Sequence, residues 1–274
     1  MMVSRRAGRF GLEALACMLA ALVVIPFVMI CINSVKGVRE AALFSLSLPT
    51  EWVFANYSEV FQSAHIARGF FNSFLISALV VMSVNLCASM AAFVIQRRND
   101  KLLRAVYYLF IMGLIVPASI IPTIKLMMDL HIHNTYLGIV LYYTSVLLPF
   151  SVFLLTGFMK SVPRELDESA VLDGCGFFRM YTAIVLPLLV SVLVTVTIVV
   201  MMSVWNDFFG PFYLITDSTK WTIILSIYSF VTQYNTNWGL VFAFMMMVIA
   251  PVLVIYLLLQ RFIIEGLTAG SLKG

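Results

Sequence analysis

The residues able to do chemistry in this chain are few, and their spacing points away from bond-making. His131 and His133 share a short segment, but two ligands without a third are not a metal site. Cys17, Cys31 and Cys87 lie in apolar runs and Cys175 in a charged stretch, and no pair has the CxxC spacing of a zinc or redox motif. There is no Gly-x-x-x-x-Gly-Lys-Ser/Thr phosphate loop, and the glycines of 266–274 lack that spacing. No Ser/His/Asp or Cys/His arrangement is evident. What remains is an acidic stretch, Glu165, Asp167, Glu168 and Asp173, and a few isolated polar groups such as Asn85, Asn206 and Asp207. Such groups dock partners and line paths. The expectation is a chain that is not an enzyme on its own and holds no metal or cofactor.

The elements that position these groups follow from composition. Of 274 residues, 62% are hydrophobic and 11% charged, and mean hydropathy is +1.02. A soluble domain carries about 25% charged residues, so there are too few charges here to cover a water-facing surface or to keep a chain disordered. The net charge of +4 is spread between apolar runs, which argues against nucleic acid as a partner. A membrane-crossing helix needs about 20 mostly apolar residues. Six segments meet that length: 14–32, 70–95, 106–127, 137–159, 184–204 and 240–259. The fold class is therefore expected to be all-α, a polytopic membrane protein with one transmembrane domain over 1–274. The first segment follows Arg5, Arg6 and Arg9 like a secretory signal, but its apolar run is long and Cys31-Ile32-Asn33 is not a small-x-small cleavage site. It reads as a retained span.

Orientation follows from where Lys and Arg fall. Arg5, Arg6 and Arg9, the dense run Arg97–Arg104, and Lys160, Arg164, Arg179, Arg261 and Lys273 all fall on one side. Lys36, Arg39, Arg68, Lys125 and Lys220 fall on the other. Both termini are expected in the cytoplasm. No Asp, Glu, Lys, Arg or His occupies the middle of a span, so the chain lacks the usual proton or ion relay, and energy for any transport must enter from elsewhere. Lys125 and Asp129 are placed to pair at i,i+4. Asn85, with Ser77, Ser83 and Ser89 nearby, is either interhelical glue or pathway lining. Proline occurs in five of the six segments, at Pro26, Pro117 with Pro122, Pro149, Pro187 and Pro251. That fits ordinary membrane-helix irregularity or kinked helices around a path that opens.

The segment 161–187 is the most informative. Pro163 suits a first helical turn with Ser161 as a nearby cap. Glu165, Asp167 and Glu168 favour the positive end of a helix dipole, and Gly174 suits a stop. The spacing predicts a surface helix of about three turns, then a second short helical stretch over 177–183. Within it, Glu168-Ser169-Ala170, three residues, Gly174, nine residues and Ile184-Val185-Leu186-Pro187 resemble the EAA loop of ABC import permeases. That pattern is Glu-Ala-Ala, three residues, Gly, nine residues, Ile-x-Leu-Pro; Ser169 and Cys175 are small replacements for alanines. Ser203-Val204-Trp205-Asn206-Asp207-Phe208-Phe209-Gly210-Pro211 is similar to the end of span five in the carbohydrate-uptake branch, and 260–274 resembles the tail of the second, shorter permease of maltose-type transporters.

The resemblance implies a type I ABC importer permease fold in a bacterial or archaeal plasma membrane. It implies two ATPase subunits that hold ATP and Mg, a homologous sibling permease, an extracytoplasmic solute-binding protein and a carbohydrate substrate. By the same resemblance Glu168, Ser169, Ala170, Asp173 and Gly174 dock the ATPase, and the tail residues Gly266, Thr268, Ala269, Gly270 and Lys273 contact it. The outward loop 205–239 would probe the binding protein with Gln233, Tyr234, Asn235, Asn237 and Trp238; aromatics and amides are also what sugar sites use, and Trp and Tyr also concentrate in a membrane-interface belt. Asn85, Asn206 and Asp207 remain candidates for lining the path.

Overall fold

A computed structural model describes residues 2–98, 100–231 and 236–269. No strand occurs among them. The chain divides into two compact units, Met1–Ala67 with Ser226–Pro251, and Arg68–Leu225 with Val252–Gly274.

The first unit begins with α1 (Met2–Asn33), which contains Pro26. None of its most apolar window, within Leu15–Asn33, is buried in the protein. An isolated apolar helix of that length satisfies its own backbone and suits lipid as its solvent. The turn after α1 leads to α2 (Val38–Ala41) and α3 (Ala55–Gln62). Both are tied back to the end of α1: Asn33 Nδ2 donates to Ser45 O at 3.0 Å, and Val53 N to Val35 O at 2.8 Å. The start of α13 (Trp238–Ala269) completes this unit.

The second unit is built on α4 (Ala64–Arg97) and α7 (Tyr136–Met159). Val80, Val84, Ala88 and Ala92 form a stripe at i,i+4 spacing with no exposed surface. Small residues on one helical face let neighbouring backbones approach closely, which is how apolar helices associate when burial alone gives no drive. α5 (Lys101–Ile115) packs on α7, where a Cβ on Gly113 would lie 3.0 Å from Pro149 Cγ. Pro149 is thus held inside α7 against a glycine that makes room for its ring.

Two expected spans are interrupted. The segment 106–127 is not one helix: α5 ends at Ile115 and α6 (Ile120–Asp129) follows a break containing Pro117. Proline disfavours helical backbone in the residue before it, and Val116 is extended (φ −77°, ψ 118°). The expected Lys125–Asp129 pair does not form; the ion pairs among the described residues are Arg97–Asp167 and Lys220–Asp217. The segment 184–204 is bent by 75° between Phe177–Leu188 and α11 (Val190–Asn206), with the break at Leu189. Among the described residues, three helices are long and apolar enough to cross a membrane, or four counting this bent pair, and Trp238–Val254 is a shorter apolar helix.

Candidate functional site

The EAA-like loop begins where α7 ends. Ser161 does not cap the next helix; its Oγ donates to Phe158 O at 2.7 Å. α8 (Glu165–Leu172) starts two residues after Pro163, with Arg164 at its N-cap, and is eight residues long rather than three turns. Glu165, Asp167 and Glu168 occupy its first turn, where the helix dipole favours negative charge. Its far end closes on two nested bonds, Gly174 N to Val171 O at 3.0 Å and Cys175 N to Ala170 O at 2.9 Å. This closure needs a left-handed residue, and Gly174 has φ +73°.

One face of α8 is fastened to the body. Arg97, in the last turn of α4, puts Nε 2.5 Å from Asp167 Oδ2 and Nη2 3.4 Å from Oδ1, with both side chains mostly buried. Arg97 Nη1 also donates to Val162 O at 3.3 Å, and Arg164 Nη2 to Gln96 O at 2.9 Å. Two guanidinium groups thus sit at the negative end of the α4 dipole. Ala170 is buried among core residues.

The other face is open. Glu168, Ser169, Asp173 and Gly174 are exposed, so four of the five expected docking residues face outward and Ala170 faces the core. Beside them lie apolar residues that the motif did not single out: Leu172 is 87% exposed and Phe178 73%, with Val171 and Phe177 also exposed. Their signal was present, since Val171-Leu172 and Phe177-Phe178 flank the polar turn, but apolar pairs in so apolar a chain do not stand out.

Beyond the turn, α9 (Phe177–Met180) runs into a five-residue π-helical turn, Tyr181–Val185, and a short helix, α10 (Leu186–Leu188), before the bend. Phe93 of α4 contacts both Phe177 and Tyr181, with ring centroids 4.7 and 5.5 Å away. Tyr181 Oη and Ser89 Oγ share a hydrogen bond of 2.8 Å. An open cleft of about 510 Å³ lies alongside, lined by residues including Asn85, Ser89, Tyr181 and Pro187. Asn85 Nδ2 donates to Thr197 Oγ1 of α11 at 2.7 Å, while its Oδ1 has no partner among the described residues. Asn85, one of the residues lining the cleft, thus bonds across to α11.

At the opposite end of α7, Asp207 is fastened rather than free. Its Oδ2 accepts from Tyr143 Oη at 2.8 Å and Gly210 N at 3.0 Å, and its Oδ1 from Phe209 N at 3.1 Å, holding the start of α12 (Phe209–Leu214). Asn206 is exposed, with Nδ2 donating to Met202 O. Asn237 caps Leu240 N at 3.3 Å, and Trp238 opens α13 half-buried. Gln233, Tyr234 and Asn235 lie outside the described residues, as do Gly270 and Lys273. Gly266, Thr268 and Ala269 are in the last turns of α13.

Comparison with known proteins places this arrangement. Residues 84–267, which include α8 and both interrupted spans, match the family described as binding-protein-dependent transport system inner membrane component. The chain is 30% identical to the diacetylchitobiose uptake system permease protein NgcG of Streptomyces coelicolor, over 95% of this chain and 88% of that one. It is 31% identical to AmyC of Thermoanaerobacterium thermosulfurigenes, a probable starch degradation products permease, over 97% of each. It is also 30% identical to the melibiose/raffinose/stachyose import permease protein MelC of Bacillus subtilis, over 98% of this chain and all of that one. In fold it is similar to a chain of the crystal structure of a bacterial ABC transporter that imports alginate, with a TM-score of 0.85 at 19% identity, covering 94% of this chain and 97% of that one. The fold is that of a type I ABC importer permease, and the chain belongs to the family of binding-protein-dependent transport system inner membrane components.

Proposed function

We propose that this chain is the transmembrane permease subunit of an ATP-driven importer for a di- or oligosaccharide, delivered by a solute-binding protein. The observation that carries this reading is α8: a short helix pinned to the body at Arg97–Asp167 while Glu168 and Leu172 project outward. Such a helix is a lever. A partner that grips the outer face moves the residues that Arg97 and Arg164 tie to α4, and the bent helix beyond them. The relatives named for chitobiose, starch-product and melibiose-type sugars support a carbohydrate cargo.

In this reading two cytoplasmic ATPase subunits, carrying ATP and Mg, seat α8 and the corresponding helix of a homologous sibling permease. Closure of the ATPase pair drives the spans from inward- to outward-facing, and hydrolysis resets them. The energy enters as differential contact between two states. The termini and the 161–187 loop lie on the cytoplasmic side, and the binding protein engages the other. Asn85 adjoins the path at the cleft, and the chain itself performs no catalysis.

The test is uptake by proteoliposomes holding the complex purified through this chain, with its binding protein outside. Melibiose, raffinose, diacetylchitobiose and maltotriose serve as labelled probes. Accumulation of at least one of them that needs internal ATP is expected. Uptake driven by a proton gradient without ATP would overturn the reading and favour a secondary transporter.

A further inference from the structure

Lys36 plays no part in the coupling loop, yet it is completely buried, 0% exposed, just past the end of α1. Its Nζ donates to Asn33 Oδ1 at 3.1 Å, to Ser45 O at 3.0 Å and to Ser45 Oγ at 3.0 Å. All three ammonium protons find neutral acceptors, and among the described residues no carboxylate pairs with it. Removing an ammonium from water is costly even when every proton is bonded, and an apolar side chain of equal length fills the same space without that penalty. A cation kept here is explained by what its bonds hold in place.

Those bonds lead to Trp238 by two routes within one unit. Ser45, gripped through both its carbonyl and its hydroxyl, follows Phe44, which has φ +52°, a left-handed backbone rarely adopted by a bulky residue. The Phe44 ring packs edge-on against Trp238, with centroids 4.8 Å apart, and against Phe242 at 5.3 Å. On the other route, Lys36 O accepts from Asn56 Nδ2 at 3.0 Å and lies where a Cβ on Gly239 would come within 2.8 Å of it. The ammonium of Lys36 bears on the Trp238 ring, and its carbonyl bears on the backbone beside that ring.

We propose that Lys36 is a positioning residue: its buried ammonium holds Phe44 in the left-handed conformation and so sets the Trp238 ring for contact with the solute-binding protein. This rests on the reading that a binding protein delivers the solute at this end. The experiment uses the whole complex in nanodiscs and follows ATPase activity while its binding protein is titrated. In Lys36→Met the binding-protein concentration for half-maximal stimulation is expected to rise about fivefold with the maximal rate kept, the split that marks lost binding rather than lost chemistry. Gly239→Ala should shift it in the same direction. Ser45→Ala, which removes one acceptor and leaves the backbone in place, should shift it less, and it decides the matter if Lys36→Met does not assemble. Acrylamide quenching of Trp238 as the sole tryptophan should rise in each variant. An unchanged half-maximal concentration, or a fall in maximal rate alone, would overturn the assignment. A wild-type complex that the binding protein does not stimulate would instead sink the importer reading beneath it.

Discussion

The segment 207–223 and the loop 160–176 sit at opposite ends of α7, about 36 Å apart for its 24 residues, and they are held in different ways. At the first, buried Asn72 and Ser73 and half-buried Asn134 grip backbone. Asn72 Nδ2 donates to Thr219 O and Trp221 O, Ser73 Oγ accepts from Ile223 N, and Asn134 Oδ1 accepts from Thr216 N and Asp217 N. Tyr136 and Lys220 close the set, bonding Asn72 Oδ1 and Asn134 O. At the second, one ion pair and two arginine-to-carbonyl bonds hold one side of α8, and the opposite side carries exposed Leu172 and Phe178. Unpaired backbone within an apolar body is expensive, so the first end is built as a fixed floor. The second leaves the outer side of α8 open.

Substitutions at the two ends should therefore fail in different ways. The largest effect is expected at Gly138→Ala, on the fixed end. Its Cβ would lie far inside contact distance of Ile132 O, a backbone atom, with Met127 Cε at 2.6 Å. Overpacking of this kind costs about 3 kcal/mol, and detergent-solubilised protein should lose its monodisperse fraction. Recovery of normal yield and melting temperature would break the contrast. Next is Arg97→Ala, which strands Asp167 mostly buried, at about 2 kcal/mol. Limited proteolysis should then cut within 160–176 faster while the rest of the chain stays protected. Replacing both partners, as in Arg97→Met with Asp167→Leu, should restore most of that protection.

Gly174→Ala follows, at about 1 kcal/mol, because an alanine must adopt φ +73° to close α8. Protease sensitivity at 173–176 reads it. The smallest effect belongs to Asp217. Hydrogen bonds from the Thr219 hydroxyl and backbone N–H, then the Lys220 ammonium, lower its pKa below the ordinary carboxylate value. A carboxylate depressed in the folded state adds stability above its unfolded pKa and loses it as pH falls through the folded one. Asp217→Asn should therefore narrow a small melting-temperature difference as pH drops from 6 toward about 3, and no narrowing would show that the segment does not need the charge.

How much of this was legible in the sequence depends on the range of the signal. Gly174 and the acidic first turn of α8 are local, and each appears where spacing placed it. The long apolar helices were legible because length alone defines them. Breaks were harder. Pro117 interrupts a span, whereas Pro149 stays inside α7, where Gly113 of another helix lies against its ring. Ala170 and Glu168 are neighbours in one motif, but only packing shows that the first faces the core and the second the outside. Lys36 reads as an ordinary loop cation until Asn33 and Ser45 are seen around it. For Pro149 the missing information was a partner distant in sequence; for Lys36 it was the turn that brings Asn33 and Ser45 to one ammonium.

The outer face of α8 is the proposed grip of an ATPase. The direct measurement is co-purification of the tagged chain from gently solubilised native membranes, comparing wild type, Glu168→Arg and Leu172→Ser, with partners identified by mass spectrometry. Both substituted side chains are exposed, so folding and assembly with a sibling permease should be unaffected. The expected result is a sibling permease with all three proteins and an ATPase subunit with wild type alone. An ATPase retained equally by all three would contradict α8 as the grip, and a chain recovered with no ATPase in any sample would contradict the importer itself.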